Sequence, residues 1–171
     1  MTDPAPEGVV GPALHCVVRV GRLLSRRQLH LYRDRIGEQV ELPDGRPFTI
    51  YRESSSSEPH DGAPVSLAMW FHLRGVPAGA RWRGYLFERE SILNTVLYAG
   101  FEGYRTKLWT VNRITNDYAG FYVWRGRTEA ERYVRYAMAM LGPISVPGSL
   151  GSLIDDVQAF PVGSRGRRDP T

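Results

Sequence analysis

The chain has 171 residues, enough for one ordinary domain with an extension, and 42% of them are hydrophobic, enough for a core. A single cysteine, Cys16, excludes an internal disulfide and suits a reducing compartment. The net charge is a mild +4, part of it in the tail Arg165-Gly166-Arg167-Arg168, with no basic stripe of the kind a nucleic-acid face needs. The start, MTDPAPEG, has neither the basic region nor the apolar run of a signal peptide, and no apolar run reaches membrane-spanning length. A soluble cytoplasmic protein with no nucleic-acid or membrane partner is expected. Of the 22 basic residues, 21 are arginine and one, Lys107, is lysine. Lysine is a compact, titratable charge that arginine does not mimic.

In chain order, residues 1 to 13 carry three prolines and two glycines and read as a loose arm. Apolar residues from Leu14 to Ile36 recur at helical spacing, with weak matches at Gly21 and Gln28, so a helix ending at Gly37 is expected. Gln39 to Leu42, the turn Pro43-Asp44-Gly45, and Phe48 to Arg52 read as a hairpin. Ser54 to Pro64 reads as a linker. Val65 to Val76 alternates as a strand, and Arg83 to Ala99 reads as a helix stopped by Gly100. Tyr104 to Asn112 and Tyr118 to Arg125 are strands about the turn Thr115-Asn116-Asp117. Thr128-Glu129-Ala130-Glu131 forms a capping box opening a helix that buries Ala130, Tyr133, Val134, Ala137 and Leu141 and stops at Gly142-Pro143. Leu150 to Phe160 reads as a last strand, and the tail as disordered.

The order from Val65 is strand, helix, strand, strand, helix, strand. It predicts an α+β fold: a ferredoxin-like βαββαβ antiparallel sheet with both helices on one face. The division is 1–64 extension (helix, hairpin, linker), 65–161 ferredoxin-like domain, 162–171 basic tail. The face without helices needs cover, most economically from a second copy of the sheet.

Alternation places Phe121 and Val123 toward the helices, and Tyr118, Gly120, Tyr122 and Trp124 on the open face. Arg105, Lys107 and Trp109 share one face of the preceding strand, and Trp70, His72 and Arg74 the mixed face of the first. Together these predict an aromatic wall with convergent polar groups, suited to a flat, oxygenated, partly anionic ligand. His72 is the candidate proton carrier, and Lys107 and Arg74 the candidate stabilisers of an enolate or phenolate oxygen. Trp70, Trp109, Tyr118, Tyr122, Trp124, Arg105 and Asn112 are the candidate substrate-binding residues. The same stripe also fits a dimer core, His72 a structural histidine, and Lys107 a rim charge. His15, His30 and His60 lie in the extension or linker and carry no expected role. No Cys/His cluster has zinc spacing, and there is no phosphate-binding glycine loop. Gly148-Ser149-Leu150-Gly151 lacks the GxSxG pattern, and Asp155-Asp156 point to opposite faces of a strand.

The string Gly103-Tyr104-Arg105-Thr106-Lys107-Leu108-Trp109, then Asn112, then Tyr118 to Trp124, then Ala130-Glu131-Arg132-Tyr133, resembles the YdhR-like monooxygenases. These belong to the dimeric α+β barrel superfamily that includes the antibiotic biosynthesis monooxygenases. The resemblance covers roughly Val65 to Phe160. It implies a homodimer enclosing a cavity, and cofactor-free monooxygenase or cyclase chemistry on an aromatic or polyketide-like substrate. Cofactor-free members use Asn, Trp and Tyr or His around the substrate, types that Asn94, Asn112, Trp109, Tyr122 and His72 supply. Haem-degrading members use an axial histidine on the second helix, and Thr128 to Leu141 contains none, which argues against haem. No tightly held cofactor or metal is expected. A non-catalytic dimeric barrel that binds a small hydrophobic ligand is the alternative.

Overall fold

The computed structural model describes residues 28–58, 61–75 and 99–155, together with Gly21. Strands β1 (Leu29–Tyr32), β2 (Gln39–Glu41), β3 (Pro47–Ser56), β4 (Val65–His72), β5 (Tyr104–Val111), β6 (Asp117–Trp124) and β7 (Gly151–Asp155) form one antiparallel sheet; helix α1 (Arg127–Leu141) lies between β6 and β7 in sequence. Strand order along the sheet is β1-β3-β5-β6-β4-β7, with β2 beside β3. The portion β7-β4-β6-β5 is the ferredoxin-like order, so the fold is α+β and ferredoxin-like, with β3 and then β1 continuing the sheet past β5.

The central hairpin forms where its sequence places it. Asn116 takes the left-handed conformation (φ 60°) that a tight turn needs and asparagine tolerates. Asn112 Oδ1 accepts the Ile114 and Thr115 amides at 2.9 and 3.1 Å, so its side chain builds this turn. The helix buries the expected Ala130, Tyr133, Ala137 and Leu141, but its start differs. Gly126 is the N-cap and no side chain caps it; Glu129 is taken up by Arg125, which also reaches Glu102 at 3.1 Å. That arginine holds the Glu129 carboxyl below the usual carboxylate range. The helix end also differs, because Gly142 stays right-handed (φ −51°) and leads into a 3-10 turn, Gly142–Ile144, containing Pro143.

Two further expectations are corrected. Leu29–Tyr32 is a strand, and residues 34–37 form a turn, where a helix to Ile36 was expected. Pairing with β3 (Leu29↔Ser56, Tyr32↔Glu53) overrides a periodicity already broken at Gln28. Ser54 to Ser56 belong to β3, flanked by β1 and β5, and Ser54 is 1% exposed. Small serines fit a strand crowded on both sides, and the Tyr104 hydroxyl bonds the Ser54 hydroxyl at 2.6 Å. The expected 83–99 helix, the rest of the 14–36 helix and residues 156–160 of the last strand fall outside the described residues, apart from the helical Gly21 and Ala99.

The sheet has a core on each face. On the helix face, Val65, Leu67, Met69, Trp109, Tyr122 and Trp124 pack with Ala130, Tyr133, Ala137 and Leu141. On the far face, Val40, Leu42, Phe48 and Ile50 cover Ala68, Leu108, Ala119, Phe121 and Val123. Over these residues the far face is covered by the chain's own β2–β3 hairpin. Among the described residues no helix is long and apolar enough to cross a membrane.

Candidate functional site

Residues paired directly across an antiparallel ladder share a face. Leu67 pairs with Tyr122 and Met69 with Gly120; across the next ladder Lys107 pairs with Tyr122 and Trp109 with Gly120. This ties Lys107, Trp109 and Tyr122 to the helix face and corrects the sequence assignment, which put Phe121 and Val123 there. Those two are buried against the β2–β3 hairpin instead.

Tyr122 reaches Tyr133 of α1, with 2.7 Å between their hydroxyls, so both polar tips are satisfied under the helix. Trp124 lies behind them in the core, stacked on Tyr122 at 6.3 Å between centroids. Gly120 makes this possible. A Cβ there would stand 2.7 Å from the Tyr122 ring carbon Cε2 and from its hydroxyl.

Beside this cluster is a cavity of about 30 Å³, room for about two waters. Lys107, Trp109, Tyr118 and Tyr122 line it with Tyr51, Met69, Phe71 and Leu141. Phe71 stacks on Tyr118 at 5.9 Å. Lys107 is only 3% exposed, and its Nζ lies 3.0 Å from the Trp109 ring centroid and 4.7 Å from that of Tyr122. Burial, and secondarily the Arg52 guanidinium, pull the Lys107 amine well below the ordinary lysine range. A neutral amine can accept a proton or attack an electrophile, and an ammonium can do neither.

The other sequence candidates lie elsewhere. Trp70 and His72 alternate onto the far face. Trp70 lies against Gly151, where a Cβ would stand 2.5 Å from the indole, with the Arg46 guanidinium 5.4 Å from its ring. His72 Nδ1 is 2.8 Å from Asp117 Oδ1, and Asp117 Oδ2 accepts from Thr115 Oγ1 at 2.9 Å, a network that ties β4 to the β5–β6 turn. Arg74 donates to the Ser145 carbonyl at 3.3 Å, Arg105 occupies the β5 bulge, and Asn112 builds the turn. The structure therefore unites Lys107, Trp109, Tyr118 and Tyr122, puts Trp124 behind them, and separates His72, Arg74, Trp70, Arg105 and Asn112. Asn94 is outside the described residues. Tyr51, Met69, Phe71 and Leu141 were missed as site residues. Ladder pairing of Met69 with Gly120 and of Phe71 with Tyr118 puts both on the cavity face.

No protein-family model and no curated protein matches the chain. Among solved structures, a monooxygenase-like protein from Listeria innocua is similar at 13% identity and TM-score 0.44, over 66% of this chain and 65% of that one. A heme-degrading enzyme from Listeria monocytogenes is similar at 13% identity and TM-score 0.47, over 78% and 89%. An uncharacterised ferredoxin-fold protein related to antibiotic biosynthesis monooxygenases, also from L. monocytogenes, gives 13% and 0.42, over 78% and 84%. The strand order, rather than these likenesses, defines the fold. The histidine that haem-degrading members use has no counterpart here: α1 carries none, and none lines the helix-side pocket.

Proposed function

We propose that this protein is a small-molecule enzyme, monooxygenase-like or cyclase-like, whose helix-side pocket converts an aromatic or polyketide-like substrate to an enolate or phenolate, with Lys107 as the reactive amine. The observation that carries this is the burial of a lysine at an aromatic cavity wall, where its neutral form is favoured. Trp109, Tyr118 and Tyr122 supply faces on which a flat substrate stacks. Larger substrates enter by displacing Tyr51 and Phe71, the half-buried lining residues. Deprotonation is common to both onward reactions. A methylene between two aromatic rings, once deprotonated, reacts with dioxygen to give a carbonyl and water. An internal electrophile captures the same carbanion by cyclisation. His72 has no part in this reading, since it lies on the far face.

The test is a panel of polycyclic phenols and β-ketones, followed by oxygen uptake and by loss of starting compound. Lys107→Met should lower turnover by about 10²-fold, and His72→Ala should leave it unchanged. Turnover retained in Lys107→Met with loss in His72→Ala would overturn the proposal.

A further inference from the structure

Lysine occurs once in this chain, and that lysine is at the cavity wall. Arginine fills the other basic positions, yet an arginine at 107 could not shed its proton. Two surroundings make a lysine amine nucleophilic near neutral pH: an apolar pocket and a neighbouring cation. Both are here. The pocket is the aromatic wall, and the cation is Arg52, whose guanidinium lies 5.8 Å from the same Trp109 ring that Lys107 Nζ approaches to 3.0 Å. The Tyr122 hydroxyl, bonded to that of Tyr133, lies over Gly120 on the same wall.

We propose that Lys107 acts as a nucleophile and that the substrate of this pocket is an enolisable ketone or aldehyde, with which the amine condenses to an imine. This rests on the reading that the helix-side pocket is the reaction site, and names the functional group that meets Lys107. The neutral amine adds to the carbonyl carbon, forming the C–N bond, and the carbonyl oxygen takes up the nitrogen's proton. The resulting hydroxyl leaves as water with a second proton from nitrogen, giving C=N with no oxidant or reductant. Tyr122, whose hydroxyl meets that of Tyr133, is the candidate relay that carries this proton from nitrogen to the departing oxygen. Protonation of the imine nitrogen acidifies the neighbouring C–H. Loss of that carbon-bound proton gives the enamine, a net transfer of one proton from carbon to nitrogen, so the enolate of the proposed chemistry takes its enamine form.

The single lysine makes the test clean. Full-length protein is incubated with 2,4-pentanedione at pH 7 and followed by native and denaturing mass spectrometry with peptide mapping. The expected result is one adduct on Lys107, of the mass of the diketone less one water. It should form at least about tenfold faster than in denaturant-unfolded protein, because each unit by which a pKa falls raises the neutral fraction tenfold. Lys107→Arg should give no adduct on that peptide. Modification of the chain terminus alone, or of Lys107 no faster than in the unfolded chain, overturns the proposal. A native complex carrying the full diketone mass, with no water lost, overturns the imine and leaves the pocket standing. No complex of either kind overturns both.

Discussion

The two faces of the sheet are built from different residues and pack differently. The far face is apolar: Val40, Leu42, Phe48 and Ile50 lie on Ala68, Leu108, Ala119, Phe121 and Val123, all aliphatic or phenyl groups. The helix face carries Tyr122, Tyr133, Trp109, Trp124 and Lys107, side chains with polar tips, and has the cavity. An apolar core gains by eliminating voids. A face whose polar tips must each find a partner packs less completely, and there a pocket with directed chemistry can persist. Adjacent residues of one strand thus serve different surroundings: Phe121 joins the apolar core of the far face and Tyr122 the wall of the cavity.

The largest test of that division is deletion of residues 1–52. This removes the four buried covers of the far face. Each is worth about 1.5–3 kcal/mol on burial, and the set rivals the roughly 5–15 kcal/mol stability of a whole domain. The truncated chain should give no cooperative thermal transition. A truncated protein that melts like the full chain would contradict the role of these four residues as the cover of the far face.

Next come paired substitutions on β6 and α1. Phe121→Ala should cost about 3–5 kcal/mol in denaturant unfolding and leave ligand affinity unaltered. Tyr133→Phe, which removes one partner of the Tyr122 hydroxyl, should cost about 1 kcal/mol and alter the pocket. A reversed pattern would mean that the faces are assigned the wrong way round.

A smaller effect is the pH dependence of stability. The folded Lys107 amine is neutral above its depressed pKa, while the unfolded chain still binds that proton up to about pH 10.4. The unfolded state therefore holds more protons in that window, and stability rises with pH by up to about 1.4 kcal/mol per unit. Burial raises the Tyr104 pKa, so stability falls again above about pH 10, where the unfolded tyrosine ionises. Below about pH 10 the tyrosine stays protonated in both states, so comparison with a lysine-free variant there reads the lysine alone. Lys107→Met should flatten the rise, and an equal slope in the variant would place the cause elsewhere.

Much of the fold could be read from sequence, because Tyr104 to Trp124 alternates around a turn with an asparagine suited to left-handed backbone, and because Tyr133, Ala137 and Leu141 keep helical spacing into Gly142-Pro143. The cavity was half legible. Lys107 stood out by being the only lysine, and Trp109, Tyr118 and Tyr122 by type. The faces were misread because a tyrosine or tryptophan has both an apolar body and a polar tip, so alternation alone does not say whether it seeks a core or an opening. Tyr122 resolves that only through Tyr133, and Phe121 only through Phe48, both contacts between separate elements. Leu29–Tyr32 was misread for a related reason, since its strand exists only because β3 is there to pair with it.

The central claim, a lysine kept neutral at the pocket wall, can be measured directly. With one lysine in the chain, ¹³C,¹⁵N-lysine labelling gives a single side-chain signal that belongs to Lys107 without assignment. Its chemical shift, titrated by NMR in the folded protein, should report a midpoint well below the ordinary lysine value. A midpoint at or above that value would show a buried ammonium held by the Trp109 and Tyr122 rings, and would contradict the account.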